Sequence, residues 1–237
     1  MKVYIVLSLL LTGITFSQGL EIPASFDHLN RIVVDEDWNI LAFVPKGSIT
    51  DLPDIKLLEN DEYEELVIPV AIVDLEGNEN KDFLLVFSPG PSADPTFEFY
   101  KISEKDTNFL FSLACKQIII NDNGYMFTSG HANNMFNTRR IFKFERDSLR
   151  EVKQPFDYVG LKTKTLKRIT IYEDKEFTNV LAVVPEDSPI EVLFGEWNEE
   201  EFSWKFLIKS SIGFLGWWKL DDNYRSEEIE GLFFAGD

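Results

Sequence analysis

The sequence predicts a mostly β protein in two parts, an N-terminal β-sheet domain of partial propeller-like or sandwich form and a small C-terminal barrel. Three observations predict it. Apolar runs are short, rich in β-branched and aromatic residues, and separated by Gly, Asn, Asp and Pro. Helix signals are few: the best stretch, Asp51–Leu58, is interrupted by Pro53. A strongly charged stretch, Lys143–Glu151, precedes Pro155 and a new series of apolar runs, which places a boundary there.

The first residues have the pattern of a leader. Lys2 supplies a positive start, Val3–Ile14 is apolar apart from Ser8, Thr12 and Gly13, and Thr15-Phe16-Ser17 offers small residues for cleavage before Gln18. The apolar run falls well short of the about 20 residues a membrane span requires. No cysteine follows it to carry a lipid. Residues 1–17 are therefore expected to be a signal peptide, with no transmembrane anchor, and the mature protein to be exported to the periplasm or beyond.

Residues 18–155 form the expected N-terminal β-rich domain. Its strands are expected at Arg31–Val34, Asn39–Val44, Leu66–Val73, Phe83–Phe87, Thr96–Lys101, Phe109–Leu113, Gln117–Ile120, Tyr125–Thr128 and Arg140–Phe144. Asn121-Asp122-Asn123-Gly124 suits a tight hairpin turn, because Asn-Gly tolerates positive φ. Ser88–Pro95 is proline-rich and is expected to be an exposed loop. Two strand–turn–strand segments echo each other: Arg31–Asp37 before Ile40–Pro45, and Arg168–Asp174 before Val180–Pro185.

Charge and cysteine content exclude some functions. The formal charge is −18, which disfavours nucleic acid and anionic membranes as partners. Cys115 is the only cysteine, so an exported chain gains no internal disulfide. A nucleophilic thiol needs a histidine to generate thiolate, and only His28 and His131 exist. Ser129 and His131 lie on one polar stretch but lack the third, orienting member of a triad. No Gly-x-Ser-x-Gly, His-Glu-x-x-His or phosphate loop is present.

The most chemically suggestive stretch runs from Val73 to Val86. Asp74, Glu76, Asn78, Asn80 and Asp82 place oxygen at alternate positions, a pattern that lets a loop curl around a hard cation such as calcium. An EF-hand is excluded, since Glu79 stands where the loop glycine belongs and Leu85 where the bidentate carboxylate belongs. The stretch resembles the calcium loop of FG-GAP/VCBS-type repeats. The resemblance implies that Asp74, Glu76, Asn78 and Asp82 offer side chains and Asn80 its carbonyl. An acidic hairpin turn on Gly77-Asn78, without metal, is the alternative reading.

In the C-terminal part, Leu166–Asp174, Val180–Leu193 and Trp204–Trp218 follow one another as short strands, with Gly213 and Gly216 where the backbone turns or packs close. Residues 156–220 resemble the bacterial SH3-like domain, with Trp204 opening one strand and Gly216-Trp217 closing the next. Thr170–Asp174 departs from the family's usual Asn-Val-Arg-Ser-Gly-Pro. The resemblance implies a small SH3-like barrel that binds cell-wall peptide or glycan, and residues 221–237 are expected to be an acidic tail or final strand. Tyr172, Trp204, Trp217 and Trp218 are the candidate ligand-binding aromatics. Neighbours on a strand face opposite sides, so Trp217 and Trp218 cannot both point inward.

These features favour a non-enzymatic binding or scaffold protein of the bacterial envelope. Alternatives are an inhibitor or immunity protein against a wall-degrading enzyme, for which an acidic rigid β frame suits, and a hydrolase using a pair of carboxylates. Expected partners are a cell-wall ligand or an envelope protein.

Overall fold

The computed structural model describes residues 27–52, 67–89, 94–103, 106–130, 134–220 and 226–234. The expected leader and the Asp51–Leu58 helix candidate from Pro53 onward lie outside the described residues. Among the described residues every regular element is a strand.

The first ten strands are β1 (Leu29–Asp35), β2 (Ile40–Pro45), β3 (Ile68–Val73), β4 (Phe83–Pro89), β5 (Pro95–Ile102), β6 (Thr107–Ala114), β7 (Gln117–Ile120), β8 (Tyr125–Gly130), β9 (Thr138–Glu145) and β10 (Ser148–Glu151). Six more follow: β11 (Asp157–Lys164), β12 (Ile169–Tyr172), β13 (Val180–Val184), β14 (Pro189–Asn198), β15 (Ser203–Ser210) and β16 (Leu215–Leu220). The nine strands expected in the N-terminal part coincide with β1–β9 to within a few residues. The Asn121–Gly124 turn joins β7 to β8, with the Asn121 amide donating to Tyr125 O at 2.9 Å.

Three sheets form, and none closes into a barrel. Their orders are β1-β2-β7-β8-β9-β10, β3-β4-β5-β6 and β11-β14-β15-β16-β12-β13. Among the described residues the single parallel pair is β2 with β7. Parallel neighbours need a long crossover, and here the crossover is the whole β3–β6 meander. That meander lies against the first sheet and shares one core with it. Ile40, Ala42 and Val44 of β2 meet Phe83, Leu85 and Phe87 of β4, Phe97 and Phe99 of β5, and Ile118 and Ile120 of β7. The alternate residues of β2 and β4 are buried too: Leu41 and Phe43 cluster with Ile119, and Leu84 and Val86 with Ile72. Burial on both faces explains why these strands read as unbroken apolar runs rather than as alternation.

Sheet membership changes between Glu151 and Asp157, and the two echoed segments each form an antiparallel hairpin, β1–β2 and β12–β13. The third sheet has its own core, built from Val159, Ile169, Ile171, Ile190, Val192, Trp204, Phe206, Ile208, Trp218 and Leu220. Residues near the C-terminus belong to it: Ile229 bridges to Thr165, and Ile229 and Leu232 are buried. Gly216 is required by close approach, because a Cβ there would lie 2.8 Å from Ile171 Cβ, whereas Gly213 turns the β15–β16 hairpin with φ near 90°.

The two halves are tied together. Met135 and Phe136, just before β9, are inserted into the core of the third sheet, where the Phe136 ring meets Trp204 edge-on at 5.1 Å. Three residues on, Arg139 Nη1 donates to Tyr158 O and Val159 O, both at 3.2 Å.

Candidate functional site

Alternation along β15 and β16 sorts the four candidate aromatics into two pairs. Trp204 and Trp218 are buried, each stacked on Phe206, at 5.7 Å and 6.0 Å. The Trp218 indole donates to Glu228 Oε2 at 3.1 Å. Trp217 and Tyr172 lie half-buried on the opposite, outer face, where they are cross-strand partners.

Register extends that pair into a row. Trp217 faces Leu207, Leu207 faces Phe194, and Phe194 faces Tyr158. Tyr158, Phe194, Leu207, Trp217 and Tyr172 thus run across five adjacent strands, a span of about 19 Å at the usual inter-strand spacing. Tyr158 and Phe194 are 46% and 36% exposed and meet edge-on at 6.0 Å. Phe156, also 36% exposed, lies 6.2 Å from both Phe194 and Trp217. At the far end Phe177 meets Tyr172 edge-on at 5.4 Å.

Cations sit over these rings. Lys175 Nζ is 4.3 Å from the Phe156 ring centre and 4.8 Å from that of Trp217, and it pairs with Glu196 Oε2. The Arg139 guanidinium lies 4.8 Å from the Tyr158 ring centre, and Lys205 Nζ lies 5.7 Å from that of Phe177. Beside the aromatic row runs a charged one, in which Glu196 faces Lys205 and Lys205 faces Lys219. Lys219 pairs with Glu201 at 3.0 Å. In an acidic chain, this face combines exposed aromatic surface with lysines. It suits a ligand that offers apolar or ring surface together with charge.

Sequence reasoning missed Phe156, Tyr158, Phe194, Phe177 and Lys175. Tyr158 next to buried Val159, and Phe194 next to buried Gly195, repeat the inside–outside signal of Trp218-Trp217. Lys175 carried no local signal, since its partners come from other strands.

The acidic loop between β3 and β4 closes on itself. Asp74 Oδ1 accepts the amides of Glu76 (2.9 Å) and Gly77 (2.8 Å), and Oδ2 accepts that of Glu79 (2.7 Å). Asn78 Nδ2 donates to Glu76 Oε2 at 2.8 Å, and Asn78 Oδ1 accepts the Asn80 amide at 2.9 Å. Leu75 is fully buried as an anchor, and Gly77 passes so close to the β7–β8 turn that a Cβ would sit 2.5 Å from Asp122 O. Asp82 Oδ1 is enclosed and has no hydrogen-bond partner among the described residues. Among the described residues no three acidic, histidine or cysteine side chains gather in ligating geometry. In this arrangement the Asp74 oxygens serve backbone amides of the loop.

The nucleophile candidates are structural. Cys115 is buried at the step from β6 to β7, and burial pushes its thiol far above the ordinary range, away from thiolate. Ser129 is buried and its Oγ bonds Asn137 Oδ1 at 3.2 Å; His131 lies outside the described residues.

No family model, curated protein or solved structure matches this chain.

Proposed function

We propose that this is an exported, non-enzymatic binding protein of the bacterial envelope, whose outer aromatic face on an SH3-like module recognises cell-wall peptide or glycan. The observation that carries the reading is the row Tyr158–Phe194–Leu207–Trp217–Tyr172 with Phe156 beside it. Large aromatic side chains left half in solvent on a sheet face mark interaction surface when they are contiguous. Stacking on sugar rings or on peptide planes is what such a surface offers. The leader-like N-terminus and the acidic composition support an exported partner-binding role over one on nucleic acid.

The test is sedimentation of the mature protein with purified peptidoglycan. Wild-type protein is expected to pellet, and Trp217→Ala and Phe194→Ala to stay in the supernatant while keeping the wild-type circular dichroism spectrum. Failure of the wild-type protein to pellet sinks the reading.

A further inference from the structure

We propose that Phe156, Trp217 and Glu196 form a recognition site for an alkylammonium group, filled in this structure by the chain's own Lys175. The inference rests on reading this face as a binding surface, and it names the chemistry recognised there.

The Lys175 ammonium lies within cation–π range of two rings at once, 4.3 Å and 4.8 Å from their centres. The two rings are 6.2 Å apart and tilted by 46°, so they flank the cation rather than stack on each other. The third wall is a carboxylate. With Lys175 in place Glu196 Oε2 is closed off from solvent, while the Glu196 side chain as a whole is 35% exposed, and Lys175 Nζ is its partner among the described residues. An enclosed carboxylate oxygen is costly without a cation or donor beside it. Two ring faces and a carboxylate are the combination that selects an ammonium over a neutral group of equal size.

The walls are fixed and the occupant is not. Glu196 belongs to β14 and Trp217 to β16, both held by the sheet, and Phe156 immediately precedes β11, its ring packed near Phe194 and Trp217. Lys175 comes from the β12–β13 turn on a long flexible stem, and its side chain remains 31% exposed. That turn does not depend on it. Asp174 accepts the Thr178 amide (3.2 Å), the Thr178 hydroxyl (2.9 Å) and Asn179 Nδ2 (3.3 Å), and the Glu173 amide donates to Asn179 O at 3.0 Å. Withdrawal of the lysine side chain therefore opens the site with the turn in place. A ligand ammonium then replaces one cation by another and neutralises Glu196 in its turn.

The ligand's ammonium has two sources: the primary ammonium of a diamino acid side chain, as in a peptide, or a quaternary headgroup of the choline type. The experiment uses the mature full-length protein and its Lys175→Met variant, which keeps the apolar stem and removes the charge, with Lys175→Gln as a second variant should the first fail to fold. Choline, Nα-acetyl-lysine amide and the neutral choline isostere 3,3-dimethylbutanol are titrated while the Trp217 indole resonance is followed by NMR. Either cation is expected to bind the variant at least about tenfold more tightly than the neutral isostere does. Which cation binds tighter identifies the source. The wild-type protein is expected to bind about tenfold more weakly than the variant, because tethered Lys175 competes at high effective concentration. Adding Glu196→Gln to the variant is expected to abolish the preference for charge. Equal binding of cation and isostere, or no binding by either variant, overturns the proposal. If wild-type protein fails to pellet with peptidoglycan while the variant still takes up an ammonium, the envelope reading falls and the ammonium site stands.

Discussion

Replacing Trp217 and Trp218 one at a time by alanine separates the inner from the outer face of the third sheet. Trp218 is 4% exposed, stacked on Phe206, and its indole donates to Glu228 Oε2. A buried tryptophan cut to alanine costs about 3–5 kcal/mol through lost transfer energy and the cavity left behind. Loss of a hydrogen bond to a charged group is worth about 1.5–3 kcal/mol on its own. These terms overlap, so roughly 5 kcal/mol is expected. At about 2–4 °C per kcal/mol for a chain of this size, the melting temperature drops by about 10–20 °C. Trp217 is only half-buried, on the outer face, so its loss costs about 1–2 kcal/mol and about 5 °C. Ligand binding reverses the order: Trp217→Ala loses it, whereas any Trp218→Ala protein that remains folded keeps it. Thermal melts by circular dichroism, paired with peptidoglycan sedimentation at a temperature where both variants are folded, measure the contrast. Equal destabilisation by the two substitutions would refute the alternation on which the site is built.

Arg139→Ala is expected to loosen the link between the halves, since it removes two hydrogen bonds to carbonyls of β11 and the packing over Tyr158. The cost is about 1–3 kcal/mol, with faster amide exchange in β11, and Arg139→Lys should restore little because the planar fork is what stacks; unchanged exchange contradicts this. Asp157 has its pKa raised above 3.8, chiefly by burial, with Arg140 opposing and Glu151 adding to the shift. A carboxyl raised in the folded state weakens the fold as pH climbs from the unfolded value through the folded one, so Asp157→Asn should be relatively more stable at neutral pH and equal to wild type in strong acid. Urea titrations at both pH values check the sign, and a variant less stable at neutral pH contradicts it. Asp74→Ala deprives three amides of their acceptor and should lower stability by about 1–2 kcal/mol. If the loop opens to hold calcium, adding the ion raises the wild-type melting temperature but not the variant's; identical melts with and without calcium dispose of the metal reading.

Much of the secondary structure was legible locally. Runs such as Ile40–Val44 and Phe83–Phe87 are too short and too rich in β-branched and aromatic residues for helices, and Asn123-Gly124 marks its own turn. The acidic loop was legible as a loop but not in its chemistry: alternating oxygens fit a cation or a self-closed turn equally well. Only the paths of the Glu76, Gly77 and Glu79 amides show that Asp74 serves the backbone.

The sequence by itself determined the β class, the position of most strands, a single cysteine and the rule that only one of Trp217 and Trp218 can point inward. Each follows from residues near one another in the chain, through period-two geometry and turn chemistry. Which tryptophan is outside, that Tyr158, Phe194 and Tyr172 join it, and that Lys175 lies between Phe156 and Trp217 against Glu196 were decided by the tertiary structure. The order β11-β14-β15-β16-β12-β13 is not the order of the chain, so side chains far apart in sequence become neighbours through strand pairing. A row built across strands leaves no periodic trace along any one of them.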